Sequence, residues 1–300
     1  MTPLRLLTLC LIAMLSLPPV QAAEEEEKPK QRKPLPIRNI LAEKDSLAFT
    51  LSFSYANGET SGLNLTDNDA LSDYATVTST AGSQTNSDSI AITPRIRYGF
   101  GDDTNVSLQA SFVALQTRLQ NGNEISSTSS ARFSSAQLGI SHRFIEQGDT
   151  PSLIGSISTS LVENNSSGDD AYAKSWSLGL SSYRVFDPIV ITGSMGYQLL
   201  LERDINQAQI DPGDVFFLNG GVSFVPNPNS SLSAGFTWSI RDKDKIDGVK
   251  QGIVRTSTSF NLGMGYEWSR ETNVFVGLGM LVSGGDGASI AVSVTHDFDD

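Results

Sequence analysis

Ala288 to Phe298 reads A-S-I-A-V-S-V-T-H-D-F. Ile290, Val292, Val294, His296 and Phe298 fall on one face, and Ser289, Ala291, Ser293, Thr295 and Asp297 on the other. A strict period of two with one apolar and one small polar face is a strand between two different media. The pattern recurs about a dozen times along the chain. A last strand of this kind can pair with the first, so that neither edge of the sheet stays open.

Alternation begins with Leu47, Phe49, Leu51, Phe53 and Tyr55 in strand one, and continues with Ile90 to Tyr98 in strand two and Val106 to Phe112 in strand three. Strands four to eight are marked by Ala136 to Phe144, Leu153 to Leu161, Trp176 to Phe186, Ile189 to Leu199 and Phe216 to Phe224. Leu232 to Ile240, Phe260 to Trp268 and Val274 to Met280 give nine to eleven, and the closing strand is the twelfth. After even strands the connections are tight, as at Gly101 to Thr104, Glu146 to Pro151, Asp187-Pro188, Pro226 to Asn229 and Ser269 to Glu271. After odd strands they are long and polar: Ala56 to Asp88, Leu119 to Ser130, Glu163 to Ala173, Arg203 to Gly213 and Asp242 to Arg255. Only Gly284 to Gly287 is short on that side. A sandwich has no reason to sort its loops by strand parity, whereas outer-membrane barrels have short periplasmic turns and longer outer loops.

Aromatic residues sort in the same way. Tyr98, Phe100, Phe144, Phe186, Phe224, Tyr266, Trp268 and Phe298 end the even strands and predict a periplasmic girdle. Phe53, Tyr55, Trp176, Phe216, Trp238 and Phe260 belong near the outer rim. Such rings favour the headgroup region, where one end can be apolar and the other wet. The expected fold is all-β: a transmembrane, antiparallel, up-and-down barrel of about 12 strands spanning 46–300. Closure is required because each unpaired backbone group in hydrocarbon costs several kcal/mol.

Residues 1–22 have the form of a signal peptide. Arg5 supplies the positive start, Leu6 to Leu17 the apolar run and Val20-Gln21-Ala22 the cleavage site. The lone cysteine, Cys10, lies in that run, so the mature chain is expected to have no disulfide and no thiolate metal site. Loss of Arg5 moves the net charge from −12 to −12 − 1 = −13, an acid excess that argues against nucleic acid as a partner. Residues 23–45 read as a periplasmic N-terminal segment, acidic, then basic, and broken by Pro29, Pro34 and Pro36. It is either a solvated tail or, through Ile37 to Leu41, an element that enters or gates the lumen.

Inward faces are dominated by Ser, Gly, Ala and Thr, and a barrel of intermediate strand number with small linings should enclose a bore. The charged residues expected to line it are Arg95, Arg97, Arg143, Glu202, Arg241 and Glu267, either selecting permeants by sign or bracing the wall as ion pairs. No enzyme chemistry is expected. His142 is followed by Arg143-Phe144 and His296 by Asp297-Phe298, so neither has a serine two residues on, as a barrel-type phospholipase would. Asp67, Asp69 and Asp73, and Asp242, Asp244 and Asp247, lack calcium-loop spacing. No cofactor is implied.

Phe186-Asp187-Pro188, Ile210-Asp211-Pro212-Gly213-Asp214, Asn219-Gly220-Gly221-Val222-Ser223-Phe224 and Asn227 to Ser233 form a set of turn and strand signatures, continued by Asn261-Leu262-Gly263-Met264-Gly265-Tyr266. Over roughly Trp176 to Phe298 the chain resembles the outer-membrane transporter group named for the MetA pathway of phenol degradation. That resemblance implies an outer-membrane channel passing a small solute, hydrophobic or aromatic among the candidates. A related barrel exports functional-amyloid subunits, so an exported polypeptide is the alternative partner, and a closed surface adhesion barrel is a third reading. Either way the expected surroundings are outer-membrane lipid and lipopolysaccharide, reached through the barrel-assembly machinery with Phe298 as the C-terminal signal.

Overall fold

A computed structural model describes residues 41–61, 83–121, 124–164, 170–205 and 208–298. Twelve long strands run in chain order: β1 Leu47–Ser61, β2 Ser83–Gly99, β3 Thr104–Asn121, β4 Glu124–Ile145, β5 Leu153–Asn164 and β6 Ser175–Phe186. They continue with β7 Ile189–Leu200, β8 Val215–Asn227, β9 Ser230–Arg241, β10 Arg255–Glu267, β11 Thr272–Ser283 and β12 Asp286–Phe298. Each pairs antiparallel with its neighbour in sequence, and β1 pairs with β12 from Leu47↔Phe298 to Glu59↔Asp286, which closes the sheet. The fold is the all-β, up-and-down barrel expected from the alternation.

Burial is inside out. Large apolar side chains stand exposed on the outer face, with Phe53 at 47% and Leu262 at 47%. Small and polar groups are buried on the inner face, where Ala48 is 1% and Ser223 6% exposed. An apolar band continuous over twelve strands is far larger than the patches soluble monomers leave in water. Lipid is the medium that removes its cost.

Two departures from the sequence reading concern the first four strands. Of the expected loop Leu119 to Ser130, residues 119–121 and 124–130 are strand instead: β3 and β4 pair from Leu119↔Ser126 to Asn121↔Glu124. β1 to β4 are 15, 17, 18 and 22 residues long, against 12 or 13 for the others, so they rise beyond the rest of the wall as a paired extension. Above the bilayer both faces meet water, and a ladder there needs no apolar alternation. Pro94, in the middle of β2, lacks an N–H, and the β2–β3 pairing skips from Ile92↔Phe112 to Arg95↔Gln109. Close by, Ser134 is the extra residue of a bulge opposite Ser111 and Phe112.

The remaining long connections also carry structure. Asp170–Ala171 extends the pairing of β5. Arg203–Ile205 with Ala208–Asp211, and Asp244–Ile246 with Val249–Gln251, are two hairpins that join through Ile210↔Ile246 into a four-stranded sheet at the outer ends of β7 to β10. The Asp211 carboxylate accepts from Lys245 Nζ at 2.6 Å, and that hydrogen bond holds the ammonium above its ordinary pKa.

At the other end, the chain before β1 turns in against the wall. Asp45 N–H donates to the Gly99 carbonyl at 2.9 Å, and Gly99 N–H to the Ser46 carbonyl at 3.0 Å. Leu41 packs on Ile154, Tyr183 and Val190, buried residues on the inner faces of β5, β6 and β7. The rest of the expected gating element, Ile37 to Ile40, lies outside the described residues. A Cβ on Gly99 would come within 1.9 Å of the Glu43 carbonyl oxygen, a backbone atom with no rotamer to give way. Gly99→Ala is therefore expected to release this strap while leaving the barrel intact. Trypsin cleavage at the exposed Lys44 should accelerate by about an order of magnitude, as follows from an overpacking penalty of roughly 1–3 kcal/mol. An unchanged cleavage rate would mean that the strap is not seated on Gly99.

Candidate permeation pathway

Strand alternation decides what faces the bore. Because Leu47, Phe49 and Leu51 point outward, Ala48, Thr50 and Ser52 point inward, and the register carries that assignment around the barrel. Over β6 to β10 the inner wall is mostly Ser, Thr, Gly and Asn. A recess of about 280 Å³ opens along it, lined by Tyr183, Thr192, Ser194, Asn219, Thr237 and Asn261 among others. Its amides are held in place: Asn219 Nδ2 donates to Ser194 Oγ at 2.9 Å and Asn261 Nδ2 to Thr237 Oγ1 at 3.3 Å. The wall can therefore offer hydrogen bonds without collapsing inward.

Three aromatic rings, Tyr183, Phe217 and Phe275, face this inner surface, and the sequence reading, which assigned every girdle ring to the outside, missed them. Phe217 lies over Gly196, where an added Cβ would be 2.2 Å from its Cζ, and Phe275 lies over Gly263 at 2.5 Å. The signal was present. Phe216 and Phe217 are adjacent in β8, so one of them has to face inward, and Phe275 sits between the outward Val274 and Val276.

The charged residues proposed from sequence divide by depth. Arg95 and Arg97 lie on the inner face of β2, opposite Thr50 and Ala48 of β1. Arg95 donates from Nε to Gln109 Oε1 at 2.8 Å, and its Nη2 bonds the same oxygen. Asp297 lies within electrostatic reach of Arg97, across β1. Arg143 is at the periplasmic end, paired with Asp103 at 2.6 Å and with Glu146 at 3.9 Å. Glu267, 6% exposed, faces Asn273 at the same end. Arg241 stands beside Arg255 at the outer rim, and Asp244 of the small sheet answers both, at 3.4 and 3.1 Å. That engagement accounts for Asp244 without a cation; among the described residues no cluster of three metal-ligating side chains forms, and Asp67, Asp69 and Asp73 lie outside them. Glu202 is exposed beyond the end of β7 and lies on no barrel strand. Its neighbour Arg203 is the buried one, ion-paired with Glu163 of β5 at 2.7 Å.

All eight even-strand aromatics, from Tyr98 to Phe298, are exposed at one end of the barrel, the end that carries the short turns. Both histidines join them in one repeated arrangement. His142 shares a hydrogen bond with Thr104 at 2.8 Å and meets Phe144 edge-on, and His296 does the same with Thr272 at 2.9 Å and with Phe298. Arg184, also outward at this level, lies over the Phe186 ring, 5.0 Å from its centroid. These pairs give the lower edge of the apolar band a polar fringe suited to headgroups.

No family model matches the sequence. Among solved structures, the chain is similar to the COG4313 outer membrane channel from Pseudomonas putida F1, with TM-score 0.60 and 13% identity over 91% of this chain and 100% of that one. It is also similar to the transport unit of the autotransporter AIDA-I from Escherichia coli, with TM-score 0.54 and 10% identity over 86% and 92% of the two chains. The translocator domain of the autotransporter NalP from Neisseria meningitidis gives 0.52 and 16% over 88% and 92%. At these identities the likeness is one of fold, and the fold is that of outer-membrane β-barrels.

Proposed function

We propose that this chain is an outer-membrane channel through which a small solute passes passively, placed there after removal of residues 1–22. The observation that carries this reading is the inner wall: small, hydrogen-bonded Ser, Thr, Gly and Asn side chains lining an open recess where a closed structural barrel would pack bulk. The similar barrel from Pseudomonas putida F1 is described as a channel, which agrees. Resemblance of the C-terminal half to the group named for the MetA pathway points the same way and suggests a hydrophobic or aromatic solute, for which Phe217 and Phe275 offer ring faces in the bore. Purified protein in planar bilayers should give discrete conductance steps, larger when residues 24–44 are deleted if the strap narrows the periplasmic mouth. Silence of both forms would refute the channel.

A second reading has one specific observation behind it. The AIDA-I and NalP barrels belong to autotransporters, which supports passage of a polypeptide. Loss of a secreted protein from a strain lacking this chain would favour it, and an unchanged secretome would remove it.

A further inference from the structure

The whole chain carries a net charge of −12, yet the charge facing the middle of the bore has the opposite sign. From β5 to β9, inward positions between the outer-rim Glu163, Arg203 and Arg241 and the periplasmic turns hold no ionised side chain. On the other side, three arginines climb the inner face from the periplasmic side outward. Arg97 and Arg95 are on β2. Arg132 on β4 pairs with Val113 of β3, four positions further out than Gln109, the partner of Arg95. The bulge at Ser134 sets the orientation of Arg132. Phe133 meets Phe112 on the lipid side, ring centroids 5.6 Å apart, so Arg132 faces inward.

Their partners decide how much of that charge is felt. Asp297 answers Arg97. Among the described residues Arg95 is held by Gln109, whose amide oxygen fixes the guanidinium without neutralising it and leaves N–H donors over. The buried Nε of Arg132 has no hydrogen-bond partner among the described residues. Resting on the channel reading, we propose that Arg95 and Arg132 make the bore selective for small anions, carboxylates in particular, whose two oxygens fit the planar fork of a guanidinium. Screening in salt reaches about 8 Å, so charges on the wall act on an ion that passes within that distance of them.

The test is the reversal potential across a bilayer with a tenfold potassium chloride gradient, repeated with potassium acetate. Wild-type protein should reverse on the anion side in both salts. Arg95→Gln with Arg132→Gln should lower the anion-to-cation permeability ratio on the order of tenfold, since each charge acts oppositely on the two ions. Arg118→Gln, which alters an outward arginine paired with Asp88, should change nothing. Heat-modifiable migration on gels, equal in all forms, establishes that the variants are folded. A conducting barrel with no anion preference, or a double variant whose ratio does not move, overturns the anion inference alone. A barrel silent in every form overturns the channel reading, and this inference with it.

Discussion

Leu51→Arg is expected to destabilise the barrel in phospholipid vesicles by about 2–4 kcal/mol, the cost of an arginine on the lipid face near mid-depth. Leu51 lies on the closing seam, opposite Val294 of β12 on one side and Pro94 of β2 on the other. Its outward direction follows from the register, and neither register partner, Val294 or Pro94, can take up the charge. The adjacent Ser52→Arg points the same side chain into the bore, where water and Ser293 await it, and should cost under about 1 kcal/mol. Denaturant unfolding in vesicles, followed by tryptophan fluorescence, compares the two. Equal effects would mean that the two faces of β1 meet the same medium, which no closed transmembrane sheet allows. A large cost for Ser52→Arg with none for Leu51→Arg would place the lumen on the wrong side.

The part of the fold that was legible in sequence is the part in lipid, and the reason is physical. Hydrocarbon admits no unpaired backbone group and rewards apolar side chains on every second residue, so Leu47 to Tyr55 and Ile290 to Phe298 carry the pattern undiluted. Beyond the membrane that constraint lapses. The run from Leu119 to Ser130 reads as loop by composition, yet residues 119–121 and 124–130 are strand by pairing. Arg132 was missed because it lies just past that polar stretch, and the Ser134 bulge shifts its parity relative to Ala136 and Leu138. Glu202 was assigned to the bore by extending the alternation of β7 past Leu200, where the strand has already ended. What sequence could not give at all was which charges meet, because Asp244 with Arg255, and Glu163 with Arg203, are joined by loops folding back over the rim.

That last pair carries the second large effect. Arg203 and Glu163 are 2.7 Å apart with side chains only 4% and 13% exposed, and Arg203 Nη2 also reaches Ser175 Oγ at 3.5 Å. The contact joins the first strand of the small outer sheet to the upper end of β5, so it couples a loop to the wall. Removing one member of a buried pair leaves a desolvated charge behind, at a cost of about 3–5 kcal/mol. Glu163→Gln should fall near the lower end, because the amide oxygen can still accept from the guanidinium. Glu163→Leu should cost more. Pairing Glu163→Leu with Arg203→Met should recover most of the loss, since two apolar groups of similar volume need no counter-charge. The double-mutant cycle, measured by denaturant unfolding in vesicles, would then give a coupling well above the 0–1 kcal/mol of exposed pairs. A coupling within that exposed range would show that bulk water reaches both charges, and that the outer sheet is held to the barrel by its backbone hydrogen bonds and by Asp244 instead.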